Sequence, residues 1–258
     1  EKLAHLESLL RAHAPLLVAY SGGVDSTCLL AVAHRTLGDR VLGVIADSPS
    51  LPRKALGSAL EVARAMGVRV EVIATREFEN DAYLSNPPNR CYFCKAELFA
   101  RMNVLAAERG FAAIVYGENA DDPAHLRPGS RAAAEFAVLA PLKQAGLTKG
   151  DVRRLSREFG LPTADEPAQP CLSSRIPHGT PVTQEALALV ERGEEAVRSL
   201  GFRVFRVRYL APAGARVQVA PDEMPALAGV RERLFDILKH AGFGFVEIDP
   251  RGYGAPPV

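Results

Sequence analysis

Pro15-Leu16-Leu17-Val18-Ala19-Tyr20 runs directly into Ser21-Gly22-Gly23-Val24-Asp25-Ser26, and from there into Thr27-Cys28-Leu29-Leu30. The first six residues form an apolar run of strand length, ended by a serine and paired glycines. Residues 26–37 carry the pattern of a helix. Strand, glycine turn and helix in that order open a parallel α/β unit. Glycines at 22 and 23 let the backbone turn sharply and bring amide N–H groups close to a ligand. The following helix adds its positive end. Ser21 and Ser26 offer hydroxyl donors, and Asp25 is suited to hold the loop or assist a metal ion. The set suits a pyrophosphate group. The plainer alternative is a strand–helix turn with a serine cap. No Gly-Lys-Ser/Thr follows, so this is not a Walker loop.

Outward from that stretch, apolar runs at 41–46, 68–74 and 112–116 read as further strands. Helical patterns cover 52–66, 94–109 and 148–159, the last with Thr148 as its cap. Strands alternating with helices predict an α/β fold, a parallel sheet with helices on both faces. Ligands of such sheets bind beyond the carboxyl ends of the strands. Ala46-Asp47-Ser48 and Gly117-Glu118-Asn119-Ala120-Asp121-Asp122 fall at two such ends. Carboxylates at Asp121 and Asp122 suit Mg²⁺, or alternatively form a solvated, helix-capping loop. The pattern changes across 160–183, rich in Pro, Ser, Ala and Gly. A smaller α+β region follows, with helices at 183–200 and 222–240 and strands near 202–209, 216–219 and 244–248. The division expected is residues 1–165 and 166–258.

Composition narrows the classes. A chain of 258 residues with 48% hydrophobic and 24% charged residues has ample apolar material for a core. A net charge of +1 argues against an enzyme that holds nucleic acid on a broad basic face. No run of about 20 apolar residues is present, so no membrane span is expected. The charged, helix-like start at residues 1–13 does not read as a signal peptide. Four cysteines in that setting point to a reducing, cytoplasmic compartment and to thiol or metal chemistry.

Cys28 lies in the helix after the glycine loop and reads as a small buried hydrophobe. Cys91 and Cys94 form a C-x-x-C after Asn86-Pro87-Pro88-Asn89-Arg90, and Cys171 lies in Gln169-Pro170-Cys171-Leu172-Ser173-Ser174-Arg175. Three cysteines suit three irons of a [4Fe–4S] cluster, leaving the fourth iron open to a ligand such as sulfide. The alternatives are a zinc site with His178 as fourth ligand, a redox pair at Cys91 and Cys94, or unrelated thiols. Arg206 and Arg208 sit two apart on a predicted strand, so their side chains share a face. They suit a phosphate, or simply form a charged exposed face.

Ser21–Ser26 resembles the PP-loop of the N-type ATP pyrophosphatases. With Ala46–Pro52, Asn86–Cys91, Gly117–Asp122, Arg127-Pro128-Gly129, Ala140-Pro141-Leu142 and Cys171–Arg175, essentially the whole chain resembles the LarE family of sulfur transferases, which help build the nickel-pincer cofactor of lactate racemase. The resemblance implies a pyridinium-3,5-dicarboxylic acid mononucleotide substrate. ATP and Mg²⁺ would activate one carboxylate as an acyl-adenylate, and a sulfur nucleophile would displace AMP to leave a thiocarboxylate. It implies ATP binding by Ser21, Gly22, Gly23, Asp25, Ser26, Ala46, Asp47, Gly117, Asn119 and Asp122. The substrate phosphate would meet Arg206 and Arg208, with Arg216 and Glu194 as further candidates. Ser174 and Arg175 would orient the acyl group beside Cys171, with loop structure as the alternative. Family members either sacrifice the Cys171-position sulfur or hold a [4Fe–4S] cluster on three cysteines that delivers sulfide from an outside source. This chain carries Cys91, Cys94 and Cys171, the cluster pattern. Gln218 stands where family members often carry glutamate. The family also forms hexamers, which implies a homo-oligomer. The rival readings are a tRNA-thiolating PP-loop enzyme, an ammonia-using synthetase with no need of these cysteines, and a non-catalytic nucleotide- or metal-binding module.

Overall fold

The computed structural model describes residues 1–123 and 128–254. From the N-terminus come α1 (Lys2–Ala12), β1 (Leu16–Ala19), α2 (Val24–Leu37), β2 (Val41–Asp47), α3 (Arg53–Ala65), β3 (Val70–Ala74) and α4 (Asp81–Leu84). α5 (Arg90–Arg109), β4 (Ala113–Tyr116), α6 (Pro128–Glu135), α7 (Pro141–Gln144) and α8 (Lys149–Glu158) follow. α9 (Gln184–Ser199), β5 (Phe205–Leu210), β6 (Gly214–Val219), α10 (Met224–Gly229), α11 (Arg231–His240) and β7 (Phe245–Ile248) complete the order. The chain divides into two compact units: Glu1–Asn80 with Asn89–Gln169, and Asp81–Pro88 with Pro170–Val258.

In the first unit the strands lie in the order β3-β2-β1-β4, all parallel. Apolar residues fill both faces of the central strands, and their alternation sends them to two cores. Leu16, Val18, Val41 and Ile45 pack with Leu6 and Leu10 of α1, Leu29 of α2 and Val152 of α8. Leu17, Leu42, Val44 and Ile114 pack instead with Phe99 and Met102 of α5 and Ala132 of α6. Burying each large side chain stabilises the unit by about 1.5–3 kcal/mol. The α/β class, with helices on both faces of a parallel sheet, is therefore the one expected. The chain builds outward from β1 to β2 and β3, then returns to place β4 on the other side of β1. The loops after β1 and β4 leave the sheet at that switch point, where such folds open a ligand crevice.

In the second unit β5 and β6 pair antiparallel and β7 joins β6 in parallel. Phe205, Val207, Ala215, Val217 and Val219 face a core with Val197 of α9 and Leu234 and Leu238 of α11. The alternate residues of β5 and β6 face the other way, with Arg206 opposite Gln218 and Arg208 opposite Arg216. Segment Asp81–Pro88 is stitched into this unit. Asn86, fully buried at a positive φ of 55°, donates its amide to the carbonyls of Ile176, Pro177 and Thr180. Tyr83 and Ser173 share a buried hydroxyl hydrogen bond of 2.8 Å.

Local differences from the sequence reading have physical causes. α5 starts at Arg90 rather than Cys94, because the chain is released to turn helical once Pro87 and Pro88 are passed. Cys91 thus rides its first turn, and Cys94 opens the second. The helix expected over 222–240 is two helices, broken after Gly229 at Val230. α7 is a single turn, too short for periodicity to reveal. Thr148 caps α8 through a capping box with Asp151.

Candidate functional site

The glycine loop of the first unit is held open by its own backbone. Gly22 adopts a φ of +77°, and a Cβ there would come within 2.7 Å of the Ala59 Cβ on α3. Position 22 therefore has two reasons to be glycine. Gly23 precedes α2 as its N-cap, so the first amides of the helix face the loop. Ser26 Oγ accepts from the Ser21 amide at 3.2 Å, donates to the Gly23 carbonyl at 3.1 Å and contacts Ser21 Oγ at 3.0 Å.

The loop after β4 closes on the same helix start. A Cβ at Gly117 would lie 2.8 Å from the Ser26 amide nitrogen, so only glycine lets these segments meet. Asn119 Nδ2 donates to Asp25 Oδ1 at 3.2 Å. Lys149 Nζ donates to the other oxygen, Asp25 Oδ2, at 2.5 Å. Asp122 accepts from the Asn119 amide, and Asp121 from the Lys149 amide. The structure thus brings Ser21, Gly22, Gly23, Asp25, Ser26, Gly117, Asn119 and Asp122 together. Buried Glu118 takes Lys143 Nζ at 2.9 Å and Ser130 Oγ at 3.0 Å, and Lys143 also reaches the Asp122 carbonyl. Ala46 and Asp47 end β2, where Asp47 pairs with Arg53 at 2.7 Å. Arg53 also donates to the Ser48 and Leu51 carbonyls, which folds 48–52 into a turn.

Sequence reading missed Lys143, Lys149 and Arg53. One signal pointed to Lys149. It occupies the first turn of α8, where the helix dipole disfavours a cation, so its place there calls for a nearby anion.

In the second unit Cys171 heads a short 3₁₀ turn, Leu172–Arg175. Arg175 does not reach outward from it. Its Nε and Nη2 pair with Glu194 of α9 at 2.7 and 3.0 Å, and both side chains are buried. Nη1 donates to the carbonyls of Pro170 and Cys171 and to Ser174 Oγ. Glu194 also accepts from the Val207 amide. Arg175 and Glu194 therefore tie the Cys171 turn to α9 and to the edge strand β5.

Arg206 and Arg208 share the polar face of β5. Arg206 Nη2 donates to Tyr253 Oη at 2.9 Å, and its guanidinium lies 4.9 Å from the centre of that ring. Arg208 Nε donates to Gln218 Oε1 at 2.7 Å, and its Nη1 contacts the Ser174 carbonyl at 3.4 Å. Burial, and then the neighbouring Arg175, pulls both guanidinium pKa values down, the direction expected of cations crowded out of water. Such a site gains by taking up an anion. Arg216 is different, because Glu247 across the strand pair already neutralises it.

The cysteines divide between the units. Cys28 is fully buried, and burial pushes its thiol up to about 11, as the hydrophobe reading expects. Cys91 is exposed, while Cys94 and Cys171 are partly buried. Cys91 and Cys94 belong to the first unit, Cys171 to the second. His178 is exposed. Among the described residues no three His, Cys, Asp or Glu side chains gather into a metal-holding group. Arg127 lies outside the described residues. No described helix is long and apolar enough to cross a membrane.

No protein-family profile matches the chain. Over 254 residues it is 39% identical to an uncharacterized protein of Synechocystis sp., covering 98% of this chain and 94% of that one. Over 211 residues it is 30% identical to the GMP synthase [glutamine-hydrolyzing] of Thermomicrobium roseum, covering 71% of this chain but 39% of that one. Over 253 residues it is 32% identical to the pyridinium-3,5-bisthiocarboxylic acid mononucleotide synthase of Lactiplantibacillus plantarum, covering 98% of this chain and 91% of that one. With its parallel sheet, its glycine loop at the switch point and a match that runs nearly end to end, the chain belongs to the family of that synthase, the LarE family.

Proposed function

We propose that this chain is an ATP-dependent sulfur transferase that turns a carboxylate of pyridinium-3,5-dicarboxylic acid mononucleotide into a thiocarboxylate, a step toward a nickel-pincer cofactor. The observation that carries the reading is the glycine loop at the β1/β4 switch point, with Asp25 held between Asn119 and Lys149. In the first step a substrate carboxylate oxygen attacks the α-phosphorus of ATP. The bond from that phosphorus to the bridging oxygen breaks, and pyrophosphate leaves with the electron pair. Loop amides and the α2 N-terminus receive the charge. In the second step a sulfur nucleophile adds to the acyl carbon and AMP departs with the C–O electron pair. A free carboxylate is a poor electrophile, so adenylation must come first.

Mg²⁺ suits the oxygen donors of Asp25 and Asp122, where it would offset phosphate charge. The thiols at 91, 94 and 171 match the donor chemistry of an iron–sulfur cluster, and none of the three is fully buried. A [4Fe–4S] cluster held by them would supply an extra sulfide for transfer. Arg206 and Arg208 would take the substrate phosphate through planar, multiply donating guanidinium groups. Ser174 and the bracket Arg175–Glu194 would hold the Cys171 turn beside the acyl group. An assembly of several copies is expected on the family pattern.

Pyrophosphate release that depends on the dicarboxylate mononucleotide tests the first step, and Asp25→Asn should lower it at least about 100-fold. Release at wild-type rate in that variant would sink the role of the loop. Iron and acid-labile sulfide, measured on protein purified without oxygen, test the sulfur source. About four irons per chain, lost in Cys91→Ala, support the cluster. Iron-free protein that makes one thiocarboxylate per chain, with Cys171 converted to dehydroalanine, would overturn it in favour of sacrificed sulfur.

A further inference from the structure

Gln218 is 1% exposed and sits between two charged groups on the polar face of the second unit's sheet. Its Oε1 accepts from Arg208 Nε at 2.7 Å, and its Nε2 donates to Asp249 Oδ2 at 2.8 Å. The amide cannot be turned round. Arginine only donates, so the oxygen must face Arg208. Asp249 is held by Arg251, which bonds both of its oxygens at 3.0 and 2.9 Å. That pairing, with the Gln218 amide second among the groups that lower it, keeps the Asp249 carboxyl well below the usual range, so it only accepts. The nitrogen must therefore face Asp249.

The charges along this chain then sort themselves. Arg251 neutralises Asp249, and Asp249 fixes Gln218. Gln218 orients Arg208 through a neutral oxygen, and a second contact of Arg208 among the described residues, the Ser174 carbonyl, is neutral too. A carboxylate at 218 would orient the guanidinium equally well but would cancel its charge. The neighbouring Arg216, two residues along β6, shows that alternative, held by Glu247. The segment after β7 completes the support. Gly252, at a φ of +76°, lets the Tyr253 amide donate to the Val219 carbonyl, which sets the ring against Arg206.

We infer that Gln218 is a specificity-determining residue of the anion site, a neutral relay that aims Arg208 while leaving its positive charge for a doubly charged phosphate monoester. The inference rests on the reading that Arg206 and Arg208 take the substrate's phosphate. The charged and titratable groups around Gln218 are Arg206 and Arg208 on β5, Arg216 on β6 with its partner Glu247 on β7, Asp249, Arg251 and Tyr253 after β7, and the Arg175–Glu194 pair.

The test is inorganic phosphate binding by calorimetry to the full chain at about pH 8, where the ligand is chiefly doubly charged, for wild type, Gln218→Glu and Gln218→Met. The introduced carboxyl is ionised there and cancels Arg208, so Gln218→Glu should bind at least about 10-fold more weakly than wild type. Gln218→Met keeps the volume and loses the acceptor but adds no negative charge, so it should bind about 3-fold more weakly. A merely structural role would not make the loss larger in Gln218→Glu, which keeps the hydrogen bond to Arg208, than in Gln218→Met, which gives it up. Equal phosphate affinity of wild type and Gln218→Glu at about pH 8 would overturn the inference alone. If Gln218→Glu fails to fold, wild-type affinity in Gln218→Met overturns it instead. No phosphate binding to the wild type would remove the phosphate reading of Arg206 and Arg208 and the inference with it.

Discussion

The two units hold their polar sites by opposite means. In the first, the backbone does the holding: Gly22 and Gly117 have no room for a side chain, and Ser21 and Ser26 lock the turn with short local bonds. In the second, side chains do it: Arg175 and Glu194 tie down the Cys171 turn, and Gln218, Asp249 and Arg251 aim Arg208. A backbone site is set by chain geometry and presents fixed amide dipoles. A side-chain site is set by buried charges, whose balance one substitution can alter. Substitutions at Gly22 and Gly117 should therefore fail through sterics and be indifferent to pH, and those in the second site should fail through charge.

The largest expected effect lies in the side-chain site. Arg175→Ala leaves Glu194 buried without its partner, and breaking a buried pair this way costs about 3–5 kcal/mol. Replacing both residues by methionine should cost much less, because no charge is stranded. Urea unfolding of the single and double variants checks this, and equal losses would mean that the pair is not coupled. In the backbone site, Gly22→Ala and Gly117→Ala should each cost about 1–3 kcal/mol, from strain at a positive φ in the first case and overpacking against the Ser26 backbone in the second. Their pyrophosphate release should fall further than their stability does. Stability losses that vanish at acid pH would break the contrast, since sterics do not titrate.

Asp249 gives a smaller effect with a definite sign. Its carboxyl titrates below the usual range when folded, chiefly because Arg251 bonds it. Its contribution is complete above the ordinary carboxylate pKa of about 4 and is lost as pH falls through the lower folded value. Asp249→Asn should therefore lower stability near neutral pH and flatten the acid limb of the stability profile. Urea midpoints at about pH 7 and about pH 3 decide it. An unchanged acid limb would place that dependence on other carboxylates.

The same contrast explains what the sequence made legible. Ser21–Ser26 could be read because its requirements are local: glycines where the chain must turn, after an apolar strand and before a helix. The period of two likewise put Arg206 and Arg208 on one face. Their supports could not be read, because Gln218 is ten residues from Arg208, Asp249 is 31 from Gln218, and only pairing of β5, β6 and β7 makes them neighbours. The resemblance implies a part for Arg175 in orienting the acyl group, and the contacts that fix its side chain, to Glu194, backbone carbonyls and Ser174, were equally out of reach of the sequence. Lys149 follows the same rule, since its partner Asp25 lies 124 residues away.

The smallest effect tests whether the first unit's site depends on local helix ends at all. Thr148 Oγ1 accepts from the Asp151 amide, and Asp151 returns the bond to the Thr148 amide. Lys2 of α1 joins at Asp151 with a 2.6 Å pair, and holds the Asp151 carboxyl low. Thr148→Ala removes the cap and should cost about 1 kcal/mol. The residue that follows is Lys149, which grips Asp25, so a frayed α8 should loosen the loop as well as the helix. Pyrophosphate release should then fall by more than the fraction unfolded accounts for, and Thr148→Ser should restore it. If Thr148→Ala loses stability while the folded fraction keeps full activity, Asp25 is held well enough by Asn119, and Lys149 is a stabilising partner that the loop does not need.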